Sequence, residues 1–316
     1  MGSAKLRLEE RKEKMKKSQL KGNIMLLIAA ILWGSTFVAQ SAGTDLVDPF
    51  TYLASRSFIG CIVLLPVIFV MDSFKKKEGT YEKMSPATKK NLLIGGILCG
   101  VVLCAASGFQ QFGMWLDASA GDAGFITALY ILIVPVAGLF FGKKVGVKVW
   151  IGVAMALLGL YLLTEKFSFN LGTLMVLACA FVFSAHIMVI DYFSPKVDGV
   201  RLSCLQFLTV GILASILMFI FEKPSLTAII DAAIPILYAG VMSSGIAYTL
   251  QILGQKHTDP TVASMIMSLE SVFALISGMI IQPDENPAKP IKLIGCTIIF
   301  AAIIIAQLPE RRKKND

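Results

Sequence analysis

This chain has little charge. Asp, Glu, Lys and Arg make up 16% of 316 residues, against about 25% in ordinary soluble domains. Histidine occurs twice, as His186 and His257, and neither HExxH nor GxSxG is present, so no metalloprotease or serine-hydrolase constellation can be read. No G-x-x-x-x-G-K-[ST] occurs either, which removes a built-in ATP-driven motor. The six cysteines, Cys61, Cys99, Cys104, Cys179, Cys204 and Cys296, form no CxxC and all fall in apolar runs. They read as small apolar residues, and neither a metal nor a cofactor is expected.

What fills the chain is apolar. Hydrophobic residues are 56% of the total and mean hydropathy is +0.74. Segments near 22–41, 50–71, 92–115, 119–141, 146–164, 171–190, 200–221, 229–254, 261–281 and 291–308 are about 20 residues long, the length that crosses a hydrocarbon core about 30 Å thick. Several are apolar all round, which excludes a soluble fold. The expectation is an all-α integral membrane protein of ten transmembrane helices. Ala39-Gln40-Ser41 offers a small-x-small cleavage site, but the charged region before it is long for a signal peptide and no soluble stretch follows.

The loops orient the helices. With the N-terminus inside, 24 of the 29 Lys and Arg fall in cytoplasmic segments, as the positive-inside rule requires. Lys166, Lys223, Lys289 and Lys292 fall outside, and Arg56 lies within a span. Both termini are thus expected in the cytoplasm of a multi-pass plasma-membrane protein. The net charge of +8 then faces anionic lipid, with no role in nucleic-acid binding. A homodimer is left open as an assembly.

An internal repeat organises the spans. At an offset of 140, Gly100-Val101 falls on Gly240-Val241, Cys104 on Ser244, Ser107 on Ala247 and Gln111 on Gln251. At 143, Ile151-Gly152 falls on Ile294-Gly295, and at 150 Gly22 falls on Gly172 and Trp33 on Phe183. Residues 1–21 read as a basic arm, 22–165 and 166–309 as two five-helix units, and 310–316 as a basic tail. Five is odd, so the second unit is turned over relative to the first, the inverted-repeat plan of many secondary transporters.

Two longer patterns sharpen this. SAGDAGFITALYILIVPVAGLFFGKK with WIGVAMALLGLYLL, and YTLQILGQKHTDPTVASMIMSLESVFA with IKLIGCTIIFAAIIIAQ, resemble the EamA family of the drug/metabolite transporter superfamily, from about Gly22 to Leu308. The resemblance implies a five-plus-five inverted repeat around a central cavity, export as the commoner direction, and a small-molecule substrate. Amino acids, nucleosides and drugs are all handled by such proteins. The family usually has proline where this chain has Ser271, and Gly-Glu where this chain has Gln282-Pro283-Asp284-Glu285.

Polar residues inside spans are the candidates for chemistry. Glu270 stands near the middle of the run from Thr261 to Ile281, where an acidic residue costs about 2.5–3.5 kcal/mol unless it faces other helices or water. It is either a functional carboxyl or one hydrogen-bonded to its neighbour. Arg56 either attracts an anionic substrate group or snorkels outward. His186 is either a proton carrier or a structural histidine. Trp33, Tyr130 and Tyr248 either stack on a substrate or pack. Gln111 and Gln251 end stripes of small residues at helical spacing, and Ser268 lies on a stripe with Ser264 and Ser271. Trp33, Arg56, Gln111, Tyr130, His186, Tyr248, Gln251, Ser268 and Glu270 are therefore the expected substrate site, with Glu270 and His186 the candidates for coupling. A secondary transporter of an amino acid-like or drug-like metabolite, and not an enzyme, is the reading that needs a repeat-related polar cavity. A non-transporting receptor or scaffold and an intramembrane enzyme stay as alternatives.

Overall fold

Local signals set the helix starts. Proline, whose fixed φ suits a first helical turn, opens α2 (Pro49–Lys77), α3 (Pro86–Trp115), α12 (Pro260–Met267) and α14 (Pro290–Gln307). Side chains cap others: Asn170 and Thr173 form a reciprocal box at α7 (Leu171–Phe193), and Asp198 accepts from the Arg201 amide at α8 (Gly199–Phe221). Such caps satisfy amides that a helix end leaves without partners. The remaining elements are α1 (Gly2–Thr44), α4 (Ala120–Thr127), α5 (Tyr130–Phe140), α6 (Val147–Leu163), α9 (Leu226–Asp231), α10 (Ala233–Tyr238), α11 (Tyr248–Gln255) and α13 (Glu270–Ile281), with a π-helical segment over Ala239–Ala247. The computed structural model describes residues 2–116, 118, 120–163, 170–281 and 289–308, with side chains from residue 13 onward except those of 120 and 121. The basic tail, Lys166 and Gln282–Glu285 lie outside the described residues.

Among the described residues there is no strand, and nine helical stretches are long and apolar enough to cross a membrane. The chain is a multi-pass helical membrane protein. The remaining expected span falls on α6, an apolar helix of 17 residues. Two features were not foreseen. The basic arm is not a separate element but continues the first span as one helix, α1, with Glu13 and Lys17 paired one turn apart at 2.8 Å. The expected spans 119–141 and 261–281 are each broken into two helices, α4/α5 and α12/α13.

Small residues let the helices approach. A Cβ built on Gly159 of α6 would stand 2.7 Å from the Gly295 carbonyl oxygen of α14, and one on Gly295 the same distance from the Gly159 carbonyl. Backbones meet at that crossing, a device suited to a medium in which hydrophobic force does not drive helices together.

The α2–α8 pair is tied at both ends by contacts that repeat each other. On the face bearing the arm, called the basic face below, Asp72 of α2 pairs with Arg201 in the first turn of α8. On the opposite face Glu222, just past α8, accepts from the Phe50 and Thr51 amides at 2.6 and 2.8 Å and from the Thr51 hydroxyl at 2.8 Å. Thr51 and Arg201 are 150 residues apart, as are Asp72 and Glu222. Each carboxylate sits against a helix N-terminus, where the dipole favours it.

The Gly159–Gly295 crossing makes a prediction. Gly159→Leu should cost about 1–3 kcal/mol through overpacking, visible as a lowered midpoint of thermal unfolding in detergent. The adjacent Leu158, which is exposed on the outer surface, should tolerate alanine with little change.

Candidate functional site

The two broken spans break in the same way. After Thr127 and after Met267 the helix gives way to two turn residues and resumes at Tyr130 and at Glu270. Backbone bonding shortens to the i−3 carbonyl at Leu129→Ile126 (3.1 Å) and Ile131→Ala128 (3.0 Å), and again at Leu269→Ile266 (3.2 Å) and Ser271→Ser268 (3.3 Å). These pairs lie 140 residues apart. Neither break holds a proline. In the second, serine hydroxyls compete for backbone carbonyls: Ser264 donates to Thr261 and Ser268 to Met265, both at 2.8 Å, the back-bonding that bends helices. Ser271, where the family usually has proline, donates instead to the Gly124 carbonyl of α4 at 2.8 Å, tying one broken helix to the other.

The breaks bring Tyr130 and Glu270 together. Each is the first residue of its resumed helix, and the Tyr130 hydroxyl donates to Glu270 Oε1 at 2.9 Å. The carboxyl thus sits at a helix N-terminus, the end that favours negative charge. Both line one cavity. Its walls also carry Trp33, Arg56, Tyr248 and Gln251, together with Gln40, Gln110, Thr127 and Ser243. Trp33 and Tyr248 meet edge to face with centroids 4.8 Å apart. An amide chain crosses one wall, from Gln40 to Gln110 at 3.4 Å and from Gln110 to Thr127 at 3.0 Å.

Arg56 stands out electrostatically. It is 5% exposed and makes no hydrogen bond or salt bridge with any described residue, its nearest ring being Tyr52 at 5.8 Å. Buried cations are ordinarily paired; here the guanidinium stands on the cavity wall with Nε buried and without a partner among the described residues. Trp33 Nε1 and Gln251 Oε1 are likewise buried without partners among the described residues.

Six of the nine expected residues line this cavity: Trp33, Arg56, Tyr130, Tyr248, Gln251 and Glu270. Three do not. Gln111 turns away and donates to Thr44 at 2.9 Å. His186 lies behind Tyr248, their rings 6.1 Å apart, with Nε2 3.2 Å from Gln206 Oε1. Ser268 is spent on its own helix. Gln40, Gln110, Thr127 and Ser243 were missed. Gln110 had a readable signal as a second amide in the same apolar run, but the repeat register singled out Gln111, and one residue of helix turns a side chain by about 100°. Ser243 was hidden because the stripe from Gly240 to Gln251 assumed α-helical spacing, whereas residues 239–247 are π-helical. That segment rephases the wall, so Ser243 faces the cavity while Ser244 packs under Gly60 of α2.

Comparison with known proteins places this geometry. The chain is 28% identical over 292 residues to a protein of Archaeoglobus fulgidus named an uncharacterized transporter, covering 92% of this chain and 87% of that one. It is 22% identical over 296 residues to the uncharacterized transporter YoaV of Bacillus subtilis, covering 92% and 97%. A solved crystal structure superposes with a TM-score of 0.68 at 21% identity over 92% of this chain and 96% of that one, a likeness of fold. The profile of the EamA-like transporter family matches twice in succession, over residues 20–165 and again over 170–307. The chain therefore belongs to the EamA-like transporter family.

Proposed function

We propose that the protein exports a small amino acid-like or drug-like metabolite across the plasma membrane, by alternating access around the cavity at the two helix breaks. One observation carries the reading: an unpaired, buried Arg56 and the Glu270–Tyr130 pair share one cavity between the two halves that match the family profile. Broken helices at the interface of repeats are where secondary transporters hold substrates, because freed backbone groups and helix ends can bind there without facing lipid. In this reading the halves form a five-plus-five inverted repeat, α6 serves as the tenth span, and both termini are cytoplasmic.

Arg56 receives an anionic group of the substrate. Glu270 lets go of Tyr130 and exchanges a proton, or a bond to the substrate, as the halves rock from inward-open to outward-open. Gln251, Tyr248 and Trp33 hold the substrate body. Uptake of labelled metabolites into inverted vesicles, with and without the protein, tests transport itself and separates it from a receptor or an enzyme.

Three outcomes follow. Arg56→Gln should weaken binding of an anion-bearing substrate about 10- to 100-fold, the worth of a charge-assisted hydrogen bond of about 1.5–3 kcal/mol, measured by ligand-induced thermal stabilisation. Unchanged affinity in the folded variant would make Arg56 structural. Glu270→Gln keeps size and bonding but removes titration, so it should abolish stimulation of export by an imposed proton gradient while substrate binding persists. If the variant concentrates substrate with the parent's pH dependence, Glu270 is not the coupling group. A reporter active only outside the cytoplasm should be silent after Asp316 and active when inserted near Asp45, and the reverse would refute the orientation.

A further inference from the structure

A second, wider cavity opens on the basic face between the arm and the turn that joins α11 to α12. Ser18, Lys143, Asp191, Gln255 and His257 are among the residues that line it, and no described residue lines both this cavity and the central one. The two are nonetheless close. Ile187 of α7 and Gln251 of α11 line the central cavity, and Asp191 and Gln255, one turn further along the same helices, line the second. One turn of helix is about 5.4 Å.

Two contacts cross that turn. Gln255 Nε2 donates to the Ile187 carbonyl at 3.0 Å, joining α11 to α7. On the wet side, Lys143 Nζ pairs with Asp191 Oδ2 at 2.8 Å, joining the turn between α5 and α6 to α7. Nearby α1 closes on α11: a Cβ on Gly254 would stand 2.9 Å from the Gly22 carbonyl oxygen. Ser18 Oγ and His257 Nδ1 lie 2.9 Å apart at the rim. Burial first, and then the charges of Lys256 and Lys21, push the His257 imidazole below its usual range.

We propose that Gln255 and the Lys143–Asp191 pair form a gate between the central cavity and a substrate vestibule on the basic face. The proposal rests on the central cavity being the substrate's. The gate is shallow by construction. Gln255 spends its amide on a backbone carbonyl, while its Oε1 is buried without a partner among the described residues, a cost that disappears once opening admits water. The two side chains are 36% and 27% exposed and the pair adds modest attraction, but it holds the charges so that reversing one puts like beside like. Opening needs α11 and α7 to part by one side chain's reach, a motion of the kind that hinges and rocking bundles supply.

Access to a cavity thiol tests the gate without any assay of transport. Ser243→Cys places a near-isosteric thiol on the central wall, and Lys16→Cys marks the basic face. Sealed vesicles exposing that face are treated with a membrane-impermeant maleimide, and modification is read by mass spectrometry of each peptide, so the native cysteines do not interfere. In the parent, position 243 should react at least about tenfold more slowly than position 16. Gln255→Leu keeps the side-chain volume and removes the donor, and should raise the rate at 243 about fivefold, the worth of one buried hydrogen bond. Asp191→Lys should also raise it, and the double exchange Lys143→Asp with Asp191→Lys should restore the slow rate. That exchange lies at the surface and leaves the core intact, so it decides the matter even if Gln255→Leu fails to fold. The gate is refuted if position 243 reacts as fast as position 16 in the parent, or if neither Gln255→Leu nor Asp191→Lys changes the rate. A protein that passes these tests yet moves no metabolite would overturn the transport reading and leave the barrier standing.

Discussion

A backbone amide or carbonyl left unbonded in hydrocarbon costs several kcal/mol, so a spanning helix can be interrupted only where protein or water replaces the lost bonds. The two interruptions here, at Ala128-Leu129 and Ser268-Leu269, both meet that condition at the same cavity. Bonds to the i−3 carbonyl, serine hydroxyls and the Ser271–Gly124 contact take up the freed groups. The polar pair at the centre of the molecule follows from this constraint. The resumed helices begin at Tyr130 and Glu270, their N-termini point inward, and the carboxyl finds both a hydroxyl donor and a favourable dipole.

The surrounding helices keep that centre in register by close approach. Backbones touch at Gly159 and Gly295, and α2 and α8 are pinned at each face by a carboxylate against a helix start. The matching of these contacts at offsets of 140 and 150 residues is duplication seen at the level of single hydrogen bonds. It agrees with the family profile, which matches the chain twice. Positions 130 and 270 correspond, but one is a phenol and the other a carboxylic acid, so the first can donate a hydrogen bond to the second.

Buried polar atoms without partners among the described residues occur both on the cavity wall and away from it, as at Gln111, His186 and Gln206. Arg56, Trp33 and Gln251 have unsatisfied buried atoms on the cavity wall, whereas Glu222, Asp72 and Ser271 are fully engaged at the scaffold. Buried polar groups that no described residue satisfies carry a cost in stability that function can justify.

The sequence by itself determined the medium, the helical class and the repeat, because hydropathy over about 20 residues and small-residue register are properties of one dimension. Glu270 and Arg56 were legible for the same reason: a charge in an apolar run is costly enough to mark itself. The tertiary structure alone decided which face each polar residue presents. It placed Gln110 on the wall and Gln111 off it, rephased Ser243 through a π-helical segment, and put His186 behind Tyr248. It also decided the Tyr130–Glu270 bond, since serine back-bonding marks only the second break, a contact between spans ties the two together, and no proline announces either. A hydrogen bond between residues 140 apart depends on how helices lean on one another, and that lean is fixed only when their backbones have met.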